Sequence, residues 1–335
     1  MSKHPKTLIP QKPSYFTSRG GAYCGDSLEL ISSLPDSSIN LVMTSPPFSL
    51  QRKKEYGNED QHTYVDWLLQ FGRAVLPKLT EDGSLVIDIG GAYKKGLPIR
   101  SLYPFEVLLR MCGEVGFHLA EDFYWHNPSK LPSPIEWVNK RKIRVKDSVN
   151  TVWWLSKSTA PKSDVSKVLV EYSERMKKLI KDPDGFYSPK VRPSGHDISS
   201  SFGKDNGGAI PSNLLQISNS ESNSSYLRWC KDLELSGHPA RFPSKLPEFF
   251  IRMLTNPGDL VVDIFSGSNT TGMVAETEDR RWLSFDLSRE YVAASVLRFI
   301  PPGSNERRTR DIYTRILEGQ SVDLGDLVDQ YHSGL

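Results

Sequence analysis

A serine, two prolines and a phenylalanine in succession are the residues of this sequence best suited to chemistry. They lie in Thr44-Ser45-Pro46-Pro47-Phe48, directly after an apolar run at residues 39–43. A residue before a proline is kept out of the helical region, and each proline has a fixed φ. The segment is therefore stiff and can aim the Ser45 hydroxyl and the carbonyl oxygens of Ser45 and Pro46 at one point. A rigid surface turn without chemistry is the alternative interpretation.

Hydrogen-bond acceptors beside an aromatic ring suit an exocyclic amine on a nucleic-acid base. That nitrogen is a poor nucleophile because its lone pair is delocalised into the ring. Acceptors that hold its N–H groups localise the lone pair toward an incoming methyl group, so catalysis consists of positioning and electrostatics. Phe48 would hold a base that has been flipped out of the duplex.

A second chemical element lies near the C-terminus, where an apolar run at residues 260–265 precedes a glycine-containing loop at residues 266–272. Glycines let the backbone approach a ligand, and the start of the following helix favours a negative group. Asp286 ends the next apolar run, about 20 residues after the loop, where it would accept hydrogen bonds from ribose hydroxyls. The loop is not GxGxxG, which favours a ligand with an adenosine and a short charged tail. A plain strand-to-helix turn is the alternative.

The elements that must position these residues alternate between two periodicities. Short apolar runs that end in small or polar residues predict buried strands at residues 39–43, 85–89, 117–125, 149–155, 260–265 and 282–285. Apolar residues at spacings of three and four predict helices at residues 64–79, 104–115, 246–254 and 291–299. This alternation predicts an α/β fold with a doubly wound, mostly parallel sheet, in which ligands bind at the carboxyl ends of the strands.

Residues 159–235 break the alternation and are rich in Ser, Lys, Asn, Gly and Pro, with one charged helix predicted near residues 165–180. We interpret this stretch as an inserted target-recognition module. The catalytic and cofactor-binding domain then consists of residues 1–158 and 236–335. A partly disordered linker is the alternative, although loops of this length are uncommon without a function.

Composition excludes several classes of protein. The net charge of +2 does not by itself require a nucleic-acid partner. The first 15 residues lack the apolar core of a signal peptide, and no apolar run is long enough to span a membrane. The three cysteines, Cys24, Cys112 and Cys230, are far apart, which favours a reducing cytoplasm over disulfides or a zinc site. The seven histidines show no HxxxH spacing, so we predict no metal.

In these two elements the sequence resembles the amino-methyltransferases of bacterial restriction–modification systems. The Ser-Pro-Pro-Phe segment is similar to their catalytic motif, and residues 263–272 are similar to their S-adenosylmethionine loop, with Ser266 in place of an expected Gly. The catalytic segment precedes the cofactor loop, as in the permuted beta group. The resemblance implies S-adenosylmethionine as cofactor, double-stranded DNA as substrate and cytosine N4 as the methylated atom. It also implies a short palindromic site, with CAGCTG as the candidate, and protection from a cognate restriction endonuclease.

The resemblance also implies roles for individual residues. The implied catalytic residues are Ser45, Pro46, Pro47 and Phe48. The implied cofactor-binding residues are Asp26, Asp88, His238, Asp263, Phe265, Gly267, Ser268, Asn269, Thr270 and Asp286. A helix cap at Asp26, a turn residue at Asp88 and a surface position for His238 are the alternatives.

Cationic side chains near the catalytic segment and in the run at residues 139–146 predict phosphate contacts, although such runs are also typical of solvated surfaces. The predicted DNA contacts are Arg52, Lys53, Lys54, Lys140, Arg141, Lys142, Arg144, Arg192 and His196, with Lys204 and Asn206 as further candidates. We expect a monomer.

Two other functions remain open from the sequence. Adenine-N6 methylation uses the same chemistry, and a catalytically inactive, sequence-specific DNA-binding regulator would need only the DNA contacts. Cytosine-C5 methylation is disfavoured, because that reaction uses a nucleophilic cysteine, usually in a Pro-Cys pair, and no cysteine here follows a proline.

Overall fold

A computed structural model describes residues 4–47, 63–182, 203–220 and 224–333. The chain divides into two compact units, the first containing Met1–Ser163 and Asn213–Leu335 and the second containing Asp164–Ser212. The module predicted at residues 159–235 therefore includes the second unit together with two segments, residues 159–163 and 213–235, that belong to the first.

The first unit is built on a mixed sheet. In chain order its strands are β1 (Tyr15–Phe16), β2 (Gly20–Cys24), β3 (Ile39–Thr44), β4 (Leu79–Gly90), β5 (His118–His126), β6 (Val149–Ser156), β7 (Leu214–Gln216), β8 (Leu260–Asp263), β9 (Arg281–Asp286) and β10 (Val322–Asp323). Their order across the sheet is β10-β1-β2-β9-β8-β3-β4-β6-β5-β7. The central strands β2, β9, β8, β3 and β4 are parallel to one another, whereas β6 pairs antiparallel with both β4 and β5.

Helices of the first unit connect and flank these strands, and one further helix, Glu174–Lys181, lies in the second unit. They are α1 (Ser27–Ser32), α2 (Tyr64–Val75), α3 (Tyr103–Arg110), α4 (Glu174–Lys181), α5 (Ser225–Asp232), α6 (Lys245–Leu254), α7 (Thr270–Thr277), α8 (Arg289–Ser295), α9 (Glu306–Leu317) and α10 (Gly325–Ser333). Strand β8 is completely buried and β3 nearly so, as expected of strands covered on both faces. The predicted fold class, a mostly parallel α/β sheet, is confirmed.

Most of the predicted helices end or begin elsewhere. The helix predicted at residues 104–115 is α3, which ends at Arg110, and the helix predicted at residues 291–299 is α8, which covers Arg289–Ser295. The helix predicted at residues 64–79 ends at Val75, and a 3-10 turn at Leu76–Lys78 leads into β4. Pro77 accounts for this end, since proline cannot continue the i→i−4 hydrogen bonds of a helix. The charged helix predicted near residues 165–180 is wrong in its first half, where a 3-10 turn covers Val165–Val168 and the α-helix begins only at Glu174.

Two tryptophans that follow the cationic run in sequence belong to the core. Trp153 and Trp154 lie in β6 and are 2% and 6% exposed. Their indole N–H groups donate to the Pro104 carbonyl and to the Ser84 hydroxyl. They therefore stabilise the sheet and are inaccessible to DNA bases. Within the described residues, no helix is both long and apolar enough to cross a membrane.

The second unit is small, and contacts between its first and last residues hold it together. Val170 and Ala209 form an isolated antiparallel bridge, and the Asn206 backbone N–H donates to the Tyr172 hydroxyl at 2.8 Å. Helix α4 is capped by the Ser173 hydroxyl, which accepts from a backbone N–H of its first turn. Of the DNA contacts proposed for this unit, Lys204 and Asn206 are described by the structure, while Arg192 and His196 lie outside the described residues.

Candidate active site

A cavity of about 980 Å³ opens in the first unit where the parallel strands end. Each of the five central strands places a residue on its wall, at or near its carboxyl end. These residues are Asp26 after β2, Ser45 after β3, Asp88 in β4, Ile264 after β8 and Asp286 at the end of β9. The position agrees with the rule that ligands of α/β sheets bind at this edge.

Ser45, Asp88 and Asn150 form a chain of hydrogen bonds on the cavity wall. The Ser45 hydroxyl donates to Asp88 Oδ2 at 3.0 Å, and Asn150 Nδ2 donates to Asp88 Oδ1 at 3.0 Å. Asp88 is only 1% exposed, and its burial raises the pKa of the carboxyl to about 6. The bonds from Asn150 and Ser45 and the positive charge of Lys130 favour the ionised form and limit that rise.

Asp263 ends the neighbouring strand β8, but the structure does not bring it to the cavity wall. Its carboxylate accepts hydrogen bonds from Thr44 Oγ1 at 2.7 Å, from Thr271 Oγ1 at 2.7 Å and from the Phe265 N–H at 3.1 Å. Burial raises the pKa of this carboxyl to about 6 as well. Asp263 therefore joins β3, β8 and α7 and holds the backbone of the loop between them.

The glycine loop is held in an unusual backbone conformation. Gly267 has φ +49°, and its N–H donates to Asp286 Oδ2 at 2.8 Å. A Cβ at this position would lie 3.0 Å from the His238 ring. Asn269 also has positive φ, is fully buried, and caps α7 through its side-chain carbonyl, which accepts from the Gly272 N–H at 3.1 Å. The predicted ligand residues of this loop thus divide: Gly267 faces the cavity, whereas Asn269 faces inward.

The other predicted cofactor residues in and near this loop lie on the cavity wall. Phe265, Ser268 and Thr270 line the cavity. Asp286 does so too, and its Oδ1 accepts from the Ser288 N–H at 2.9 Å. Burial raises the pKa of the Asp286 carboxyl.

Asp26 caps a helix and also lies on the cavity wall, so the structure is compatible with either predicted role. Its side chain caps α1, accepting from the Leu28 N–H at 2.7 Å, and it also lines the cavity. The cap fixes the carboxylate at the strand end. The exposed position of Asp26 keeps that carboxylate accessible to a ligand.

His238 is a buried cavity residue, so the surface interpretation is wrong. It is 8% exposed and packs edge-to-face on Tyr291 with ring centroids 4.4 Å apart. Its Nδ1 donates to the Ala240 carbonyl at 2.6 Å. Burial lowers the pKa of the imidazole to about 4, so the ring is neutral at physiological pH and adds no positive charge to the cavity.

Several residues on the wall were not identified from the sequence. Trp67 and Phe71 lie one helical turn apart on α2 and contact Phe265, with ring centroids at 5.4 and 4.7 Å. Their spacing is equally typical of core residues, so only the fold reveals their place. Asn150 carried a detectable signal, because it is an amide inside an apolar strand. Lys130 carried none.

The cationic run at residues 139–146 is exposed and only partly engaged by protein groups. Lys140 pairs with Glu136 at 3.4 Å, Arg141 lies over the Trp137 ring, and Arg144 donates to the Pro98 carbonyl at 2.9 Å. Lys142 is exposed and has φ +55°. The predicted residues Phe48, Arg52, Lys53 and Lys54 lie outside the described residues.

Comparison with known proteins gives consistent matches. The sequence pattern of the family described as DNA methylase matches residues 39–297. The type II methyltransferase M.PvuII of Proteus hauseri is 67% identical over 328 residues, which are 98% of this chain and 98% of that protein. M.BamHI of Bacillus amyloliquefaciens is 27% identical, over 82% of this chain and 56% of that protein.

Solved structures of DNA methyltransferases also resemble this chain. The structure of the PvuII DNA methyltransferase, described as cytosine-N4-specific, superposes with a TM-score of 0.78 at 59% identity, over 94% of this chain and 99% of that one. A putative DNA modification methylase from Thermus thermophilus, solved with S-adenosyl-L-methionine, shares the fold at a TM-score of 0.50 and 19% identity, over 91% of this chain and 98% of that one.

Proposed function

Because this chain belongs to the family of DNA methylases, we propose that it transfers a methyl group from S-adenosylmethionine to N4 of cytosine in duplex DNA. One structural observation carries the proposal: the Ser45–Asp88 pair lies on the wall of the same cavity as the Gly267 loop and Asp286. A hydrogen-bond acceptor for an amine and a pocket suited to a nucleoside therefore lie in the same cavity. The 67% identity to M.PvuII supports cytosine N4 as the target atom.

The cavity residues fit the cofactor. A carboxylate offers about four acceptor sites, of which Asp286 uses two for the Gly267 and Ser288 N–H groups. The remaining sites suit the ribose hydroxyls. Phe265 and Ile264 provide apolar surface for an adenine, and the Asp26 carboxylate suits its amino group. When bound, S-adenosylmethionine supplies a methyl group on a positively charged sulfonium.

The chain's own contribution is to hold the amine. The Ser45 hydroxyl donates its hydrogen to the Asp88 carboxylate, so its lone pairs are turned to the cavity as acceptors for an amine N–H. The negative charge of Asp88 strengthens the hydroxyl as an acceptor. Pro46 adds a backbone carbonyl and has no N–H that could compete. Holding the N–H groups in this way localises the nitrogen lone pair and directs it into the cavity.

The same pair of residues can take up the proton that the amine loses. Methylation makes the nitrogen cationic, and a proton must leave to restore the neutral amine. Asp88, with a pKa of about 6, accepts that proton through the Ser45 hydroxyl and returns it to solvent at neutral pH. The Asn150 amide keeps the carboxylate in place during the exchange.

The exposed cations at residues 140–144 would contact DNA phosphates, and the second unit, within the 159–235 module, would read the base edges of the recognition site. We propose CAGCTG as that site. The likeness to the type II methyltransferase M.PvuII supports protection from a cognate restriction endonuclease in a bacterial cytoplasm as the biological role. The protein would act as a monomer, with one cavity for one flipped base.

Incubation with duplex DNA and S-adenosylmethionine, followed by nucleoside analysis, tests the proposal. We expect N4-methylcytosine, and N6-methyladenine would overturn the choice of base. Ser45→Ala should lower turnover by about 10²- to 10³-fold, as does the loss of one group that stabilises developing charge in other active sites. Binding of duplex DNA should be unchanged. A wild-type protein that binds DNA and transfers no methyl group would instead be a regulator.

A further inference from the structure

The turn that follows β5 passes from the cavity wall into solvent between two consecutive residues. Asn127 and Lys130 line the cavity, whereas the next side chain, Leu131, is 81% exposed. A leucine this exposed contributes little to the stability of the free protein. A partner that buries its side chain would gain binding free energy from the apolar surface removed from water.

This turn is held by hydrogen bonds to two other segments of the first unit. Asn127 Oδ1 accepts from the Asn219 N–H at 3.2 Å, which ties the turn to the segment after β7. In addition, Lys146 Nζ donates to the carbonyls of Pro128 and Lys130 at 3.0 and 3.3 Å. The leucine is therefore presented on a support whose geometry is set before any partner arrives.

The same connection between β5 and β6 carries the cations of the run at residues 139–146. Lys140 and Lys142 are exposed on it, and Lys146 is part of the support of the turn. Positive charge beside an exposed apolar side chain complements nucleic acid, in which charged phosphates flank stacked bases. The occupant that this rim fits is duplex DNA.

We propose that Leu131 inserts into the duplex beside the target base and fills the gap in the base stack that the flipped cytosine leaves. Insertion of an apolar side chain offsets part of the free energy lost by unstacking and unpairing the base. The inference rests on the proposed function, since it presupposes that a base enters the cavity. It adds a residue that acts on DNA without touching the reacting atoms.

Steady-state methylation of two duplexes tests the role of Leu131. In one duplex the target cytosine is paired, and in the other it faces an abasic position, so that no base pair is broken. For Leu131→Ala we expect kcat/KM to fall by about tenfold or more on the paired duplex and by less than about twofold on the other. Leu131→Met, which keeps the apolar length, should stay close to the wild type on both.

Val145→Ala is the matched control, because Val145 is 86% exposed on the same connection and does not line the cavity. It should leave both rates unchanged, and thermal denaturation should show that all three variants are folded. Equal losses by Leu131→Ala on the two duplexes, or no loss on either, would overturn the insertion. A wild-type enzyme inactive on both duplexes would instead overturn the proposed methylation.

Discussion

Thr44 is the last residue of β3, and Ser45 follows it. Their hydroxyls bond to carboxylates of the two strands that flank β3, and the two bonds have different roles. The Thr44 hydroxyl donates to Asp263 of β8, and the Ser45 hydroxyl donates to Asp88 of β4. Both carboxylates are 1% exposed, and burial raises the pKa of each to about 6. By residue type, burial and pKa the two pairs are nearly the same.

The difference lies in what else each carboxylate touches. Asp263 has two further donors, Thr271 and the Phe265 N–H, and is enclosed by the loop that it holds. Asp88 accepts a hydrogen bond from the Asn150 amide and also lines the cavity. A buried, perturbed carboxyl is thus not by itself a sign of catalysis, and its exposure to a ligand-sized space distinguishes the two cases.

Removing the negative charge of Asp88, the carboxylate that lines the cavity, should have the largest effect on turnover. Asp88→Asn should lower kcat by about 10²- to 10³-fold, because Ser45 loses the charged partner that orients its hydroxyl. The matched variant Asp263→Asn should keep kcat within a few-fold of the wild type. Single-turnover methylation measures both. If Asp88→Asn kept more than a tenth of wild-type kcat, the functional contrast between the pairs would not hold.

Removing the internal carboxylate should instead affect stability. Asp263→Ala leaves three donors without their acceptor, at a cost of about 1–3 kcal/mol for each that stays buried and unsatisfied, so the free energy of unfolding should fall by about 3 kcal/mol or more. Thr44→Val removes a single bond and should cost about 1 kcal/mol. Urea denaturation measures both, and a neutral Asp263→Ala would remove the structural role.

The dependence of kcat on pH should also distinguish the Ser45–Asp88 pair from the Thr44–Asp263 pair. Below about pH 6 the Asp88 carboxyl is protonated, and kcat should fall about tenfold per pH unit. Asp263→Asn should keep this decrease of kcat in acid, and Asp88→Asn should lose it.

The decrease does not reflect unfolding. Both folded-state pKa values are raised, so the folded protein binds more protons than the unfolded chain between about pH 4 and 6. These groups therefore favour the folded state more as the pH falls. Circular dichroism across the same range provides the check.

The smallest effect should come from the loop that Asp263 holds. Gly267→Ala strains a backbone at φ +49° and places a methyl group against His238, so the Kd for S-adenosylmethionine should rise by about fivefold to tenfold. Gly258→Ala is the control, since it has φ +84° with open space around it and does not line the cavity. Isothermal titration should show weaker binding for the first variant only. Equal affinities would indicate that the loop adjusts.

Local sequence patterns predicted six of the strands, four helices near their observed positions and the two chemical elements, because each of these depends on neighbours along the chain. They did not predict β1, β2, β7 and β10. Apolar runs define β3 and β8, and the double proline stiffens the turn after β3 whatever surrounds it. The resemblance of these elements to a family then predicted the cofactor and the reaction.

Which of the predicted residues face the cavity became evident only from the folded chain. Asp263 and Asn269 belong to the predicted cofactor loop by sequence, yet both side chains point inward to hold it. Asn150 and Lys130 reach the cavity from strand β6 and from the turn after β5. The physical reason is that the direction of a side chain at a strand end depends on which strands lie beside it. That order comes from long-range pairing, and local periodicity does not contain it.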